Sequence, residues 1–306
     1  MPVKTLGSTI AMVVVAASAV LSAQVRPFVI AAYSDGGLVP FARFTGTNWV
    51  NTWPTPDEAN VRVPPLAEAP ATWLGKAIPR QWIFWPEAGG RRSITVVGTR
   101  RGDGTGGGCS VPAVLATAEP LGPESRGLAV DANQPIEPVR RVELSTPEWR
   151  RLEPVIDSAV RANERRLIAI RPHNRAWQAE QLAEVDVFQP PLTIDRVYRP
   201  VADAVPVVYY FEAVRTATRK NGTPLTMKVS GWLRPDANGG LAAFALLGSV
   251  YDDEGMWDVM PLAIVHVAQR VFWITSVGHW ESSSFVIREV SPTAVRDVLT
   301  TDNGGC

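Results

Sequence analysis

VVYYFEAVRTATRKNGTPLTMKVSGWLRPDANGGLAAFALLGSV, residues Val207 to Val250, consists of three runs of β-branched, aromatic and small apolar residues divided by Asn221-Gly222 and Asn238-Gly239. Asn-Gly is a strong local signal for a tight hairpin turn, because both residues accept positive φ at low steric cost. The stretch therefore reads as three antiparallel strands, Val207 to Arg215, Leu225 to Leu233 and Leu241 to Val250. The same grammar continues through Met260 to Val267, Val271 to Gly278 and Phe285 to Val290, with turns at Asp253-Glu254-Gly255 and Ala268-Gln269. Six sequential strands predict an antiparallel meander. Ser291-Pro292 then resembles a helix cap followed by a first-turn proline, which predicts a short final helix to about Leu299.

Immediately upstream of the meander region lies one long helical pattern. Thr146 supplies a capping hydroxyl, Pro147 suits the first helical position, and Glu148 complements the positive end of the helix dipole. Trp149, Leu152, Ile156, Ala159, Val160, Asn163 and Leu167 recur at spacings of three and four, so one stripe faces a core. Pro154 predicts either a kink or a helix that begins there. Before Thr146 the chain is dense in Pro and Gly, with two hairpin patterns: Val39 to Phe44 with Trp49 to Trp53, and Gln81 to Trp85 with Ser93 to Thr99. The expected fold class is α+β and mostly antiparallel β. A β-rich N-terminal domain over 24–146 precedes a domain over 147–306, in which the amphipathic helix packs on the meander.

Met1 to Ala23 carries one cation, Lys4, an apolar run from Ile10 to Leu21 and small residues after it, the layout of a secretory signal peptide. Cleavage after Ala23 leaves Gln24 as the new N-terminus, and Ala17-Ser18-Ala19 offers an alternative site. The apolar run falls short of the roughly 20 residues that span a bilayer. The expectation is an exported chain, periplasmic or extracellular, that does not span a membrane once the signal is removed. Thirty Lys and Arg balance thirty Asp and Glu, so the broad basic surface of a sequence-tolerant nucleic-acid binder is missing and no nucleic-acid partner is expected. Neutrality hides an asymmetry: residues 24–175 hold 19 cations and 15 acids, whereas 176–306 hold 10 and 15.

Candidate chemistry is sparse. The three histidines, His173, His266 and His279, lack metal-ligand spacing, since a tight turn at Ala268-Gln269 sets His266 opposite residue 271 or 273 and leaves His279 far along the next strand. No metal, cofactor or catalytic residue is expected on this basis. Cys109 and Cys306 could join as a disulfide in an oxidising compartment, the alternative being one buried and one exposed thiol. Eleven tryptophans are the unusual count, and Trp49 and Trp53, four apart on an expected strand, would share a face about 13 Å apart, suited to stacking sugar rings. Trp85 is the third ring of that candidate surface, while Trp82, three residues before it, points the opposite way. Asp252, Asp253 and Asp258 crowd one turn and form a candidate acidic site, although a solvated turn that discourages strand aggregation has the same composition. The expected function is a non-catalytic binding or interaction protein of the bacterial cell envelope, with a carbohydrate or an envelope protein as partner. The alternative is a secreted polysaccharide hydrolase using carboxylates as acid and base.

Overall fold

A computed structural model describes residues 26–306 except 35, 55–62, 88–89, 103–111, 120, 122–126, 132–135, 165, 167–184, 189–191, 203–206, 223, 252–257, 279–281 and 306. It is mostly β, with antiparallel sheets and one α-helix among the described residues.

The N-terminal strands are β1 (Phe28–Ser34), β2 (Gly37–Phe44), β3 (Trp49–Val50), β4 (Gln81–Pro86), β5 (Arg92–Arg101), β6 (Ala113–Thr117) and β7 (Gly127–Val130). They pair in the order β1-β7-β4-β5-β6-β2, and β2 returns to pair with β1, which closes a six-stranded barrel; β3 adds to the end of β2. Alternation along each strand sorts the side chains. Val29, Ala31, Trp82, Phe84, Val96, Leu115 and Ala129 fill the inside, as the small radius of a six-stranded barrel requires. Phe28, Ile30, Phe44, Leu128 and Val130 face outward into a separate cluster. The first expected hairpin forms only in part, with Trp49 and Val50 opposite Phe44 and Arg43 and no strand reaching Trp53, whereas the second pairs Gln81 to Phe84 with Thr95 to Arg92.

The second sheet contains β8 (Ile136–Arg141), β9 (Val185–Phe188), β10 (Thr193–Pro200), β11 (Tyr209–Arg219), β12 (Pro224–Pro235), β13 (Leu241–Tyr251), β14 (Asp258–Val267), β15 (Arg270–Gly278), β16 (Ser282–Val290) and β17 (Val295–Gly305). Its order is β13-β12-β11-β10-β8-β14-β15-β16-β17, with β9 beside β11. Two meanders are thus present where the turn signals predict one, because β13 does not pair with β14. The link is β8, which comes from before the helix. Its first half, Ile136 to Pro138, pairs with β14, and its second half, Val139 to Arg141, pairs with β10. Strand membership therefore passes from the barrel to the second sheet between Val130 and Ile136, ahead of the helix.

This corner folds the sheet onto itself. β12 and β15 are five positions apart in the strand order, about 24 Å if the sheet were flat. Yet the rings of Trp232 on β12 and Trp273 on β15 meet at 4.9 Å, nearly perpendicular. The two halves face each other across a core that contains Tyr210, Trp232, Ile264, Trp273 and Val290. The other face of β14, β15 and β16 packs on the barrel wall, where Phe41 stacks on Phe285 at 4.2 Å. The other face of β10 to β13 receives α1 (Pro147–Arg161).

α1 begins as its sequence predicts: Trp149 N donates to the Thr146 hydroxyl at 3.1 Å, and Trp149, Leu152, Ile156 and Val160 are buried. It starts at Pro147 and continues through Pro154, so Pro154 is not its first residue. Glu148 accepts hydrogen bonds from Arg199 at 2.8 Å and Tyr209 at 2.9 Å, which ties the helix start to β10 and β11. The expected final helix at Ser291 is instead the turn into strand β17. Ser291 Oγ accepts from Ala294 N at 3.0 Å, as a helix cap would, but Ser291 N donates to Ala294 O at 2.9 Å and Val290 pairs with Val295. The same serine chemistry serves a helix start or a hairpin, and here the open side of β16 takes the chain as a strand.

Candidate functional site

The aromatic platform expected from Trp49 and Trp53 is not formed. β3 ends at Val50, so the two rings do not share a strand. Trp49 is 6% exposed between barrel and second sheet, with its ring 5.5 Å from Phe28, 5.1 Å from Phe44 and 5.4 Å from Phe272. Trp53, also 6% exposed, belongs to the cluster inside the barrel; its indole Nε1 donates to Ala113 O at 2.9 Å and its ring meets Trp73 at 5.1 Å. Stacking on a sugar needs an open ring face, and both rings are packed on protein. Trp85 is half-buried against the cluster between barrel and sheet, with the Arg91 guanidinium 5.9 Å from its ring centre. Trp82 lies inside the barrel, on the opposite side of β4 from Trp85, as alternation predicts.

Of the acidic candidates, Asp252 and Asp253 lie outside the described residues, as do Cys109, Cys306, His173, His279 and the leader Met1 to Ala23. His266 sits opposite Val271, as the turn predicts, and its Nε2 is 2.7 Å from Glu137 Oε2. Among the described residues, no three of His, Cys, Asp and Glu are grouped to hold a metal ion, and no helix is long and apolar enough to cross a membrane.

Asp258 opens β14 and belongs to a charged cluster that the sequence reading did not single out. On β11 and β12, odd-numbered residues such as Phe211, Ala213, Met227 and Val229 face α1. Alternation therefore turns Tyr210, Glu212, Lys228, Ser230 and Trp232 toward the space between the two half-sheets. The Trp232 end of that space is apolar, and the Glu212 end is ionic. Glu212 is fully buried; its Oε2 is 2.8 Å from Arg196 Nε and 3.2 Å from Lys228 Nζ, and its Oε1 accepts from the Tyr210 hydroxyl at 3.1 Å. Arg196 also binds Asp258, and Asp258 lies 3.8 Å from Lys228, so a residue at the start of β14 clips β10 and β12 together. Asp258 is itself 56% exposed at the rim of the space. On the facing half, Arg288 donates to Thr275 at 2.8 Å and to Asp297 at 2.9 Å.

The electrostatics follow from burial. Loss of water pushes the Glu212 carboxyl above the usual range for glutamate, and Lys228 and Arg196 pull the other way. Tyr210 is held well above a normal phenol, first by burial and then by the neighbouring Glu212 charge, with Arg288 opposing. Burial works against the Arg196 charge, but Glu212 and the other acidic partners raise its affinity for the proton. A carboxylate without solvent access, already shared by two cations and a phenol, holds strands together and does not reach a dissolved substrate. Asp258 is open to solvent but engaged with Arg196. The one signal in the sequence was parity: Glu212 and Lys228 occupy the same alternate positions as Tyr210 and Trp232, hence one interior face.

The clearest exposed feature is the edge of the second sheet. β13 pairs with β12, and among the described residues no strand lies on its other side. Its eleven residues contain no charged side chain. A bulge sets Ala245 and Leu246 against Gly231, with Ala245 at φ 49°. Gly231 fits this spot because a Cβ there would come within 2.5 Å of Leu246 and 2.8 Å of Phe211. Leu247, just past the bulge, is 53% exposed. β17, at the opposite edge, carries Arg296, Asp297 and Asp302. In comparisons with known proteins, no family model, no curated protein and no solved structure matches this chain.

Proposed function

We propose that the chain is an exported, non-catalytic interaction protein of the bacterial cell envelope, and that its partner docks as an extended strand on β13. The uncharged open edge of β13 carries this reading. An unpaired edge presents a row of N–H and C=O groups that templates another strand, and proteins that avoid such pairing place charges along the edge. β17 has such charges and β13 has none. The signal-peptide pattern of Met1 to Ala23 supports export. The hydrolase alternative would draw on Asp258, whose engagement with Arg196 and Lys228 favours the interaction reading.

Two measurements test the proposal. Expression of the full chain in a bacterial host, followed by fractionation and N-terminal mass determination, is expected to find a chain starting at Gln24 or Val20 outside the cytoplasm. An intact Met1 in the cytoplasm refutes export. For docking, a labelled peptide with the sequence of β13 should perturb the β13 backbone amides by NMR, and perturbation elsewhere or none refutes the edge.

A further inference from the structure

We infer that the strand occupying β13 is β13 of a second copy of this chain, paired antiparallel about a two-fold axis through Leu246; the inference rests on the reading of β13 as the docking edge. Two identical strands paired antiparallel bring a residue against its own copy only at the axis and diagonally across it, where a charge would meet a like charge; Leu241 to Tyr251 holds no charge at any position, so no register is penalised in this way. The axis at Leu246 puts Leu247 of each copy across from Ala245 of the other. Those are the two exposed positions of the strand among the residues whose burial is described, so one register covers both. The bulge bends β13 at its midpoint, so an axis at Leu246 falls on the bend of both copies and leaves the straight halves on either side to pair.

The two edges of the sheet also decide how far assembly goes. Of the two ends of the strand order, β17 carries Arg296 and Asp297 and resists edge pairing, so among the described residues β13 is the uncharged end, and pairing through it alone closes a dimer. A contact made by strand edges alone falls at or below about 1,200 Å², the small end of specific interfaces, so the dimer is weak and forms at raised concentration.

Sedimentation equilibrium of the mature chain from about 1 μM to about 1 mM tests this. The mass is expected to rise from one chain to two and no further. Leu247→Lys and Leu247→Asp should each weaken dimerisation about tenfold or more by placing like charges diagonally across the axis, about 7–8 Å apart. An equimolar mixture of the two variants should dimerise again, since the charges are then opposite. Circular dichroism confirms that the variants fold. Should they not fold, hydrogen exchange on the wild-type chain decides: β13 amides gain protection with concentration if the strands pair, and constant protection overturns the inference. A wild-type chain that stays monomeric throughout also overturns it, as does a dimer that neither variant affects. A monomer that still binds the β13 peptide at β13 overturns the dimer of whole chains while leaving the docking edge intact; a monomer that binds no peptide removes both.

Discussion

Replacing Lys228 with Met keeps the length and most of the apolar stem of the side chain but removes the ammonium 3.2 Å from the buried Glu212 carboxylate. At an effective dielectric constant of about 20, a pair at that separation attracts by about 5 kcal/mol. Removing the ammonium also removes the cost of burying it, and Arg196 remains at 2.8 Å to neutralise part of the charge. The net loss should therefore be about 3 kcal/mol, at the low end of what breaking a buried pair costs. The loss should also depend on pH in a defined direction. Glu212 already takes up a proton above the usual glutamate range because of burial, and without Lys228 its folded-state pKa rises further above the unfolded value. Such a group contributes stability that is complete below the unfolded pKa, near 4.5, and is lost as pH rises through the folded one. Lys228→Met should thus differ little from wild type near pH 4.5 and show a deficit that grows as the pH rises above that value. The double variant Lys228→Met/Glu212→Leu should recover much of it, because no buried charge is then left alone. Urea unfolding at several pH values, followed by tryptophan fluorescence, reads this directly, since Trp232 and Trp273 share the same core. A Lys228→Met variant within about 0.5 kcal/mol of wild type at pH 7, or a deficit that does not change with pH, would refute the reasoning.

Three further outcomes follow from the geometry. Trp49→Ala should cost about 3–5 kcal/mol in urea unfolding, because Trp49 fills the contact between barrel and second sheet, and an unchanged stability would contradict its burial. Thr146→Ala should lower stability by about 1 kcal/mol through loss of the bond from Trp149 N, and Thr146→Ser should restore it. Burial and then the hydrogen bond to Glu148 push the Tyr209 phenol up to about 12, so its contribution to stability is present below about pH 10 and is lost as pH rises toward 12. Spectrophotometric titration should show one fewer late-ionising phenol in Tyr209→Phe, and a curve identical to wild type would place Tyr209 among ordinary tyrosines.

The strands β11 to β16 and the start of α1 were legible in the chain because their signals are local. Asn-Gly needs only its own backbone freedom to turn, Thr146 caps from three residues away, and alternation or a three-four stripe is contained within one element. Parity also placed Trp82 and Trp85 on opposite sides of β4. What the chain could not settle alone was which neighbour each element would find. Ser291-Pro292 satisfies the local rules of a helix start, but the chain after it becomes a strand because β16 had an open side to pair. Trp49 and Trp53 read as a shared face, yet barrel closure sends one into the interface and the other inside. β8 carries no local sign that its two halves will serve different strands, and that corner creates the space where Glu212 meets Arg196 and Lys228 and where Asp258 reaches both sides. Local patterning set the kinds of element and many of their turns. Pairing, burial and the open edge at β13 depended on contacts between residues far apart in sequence, whose free energy appears only when the whole chain is packed.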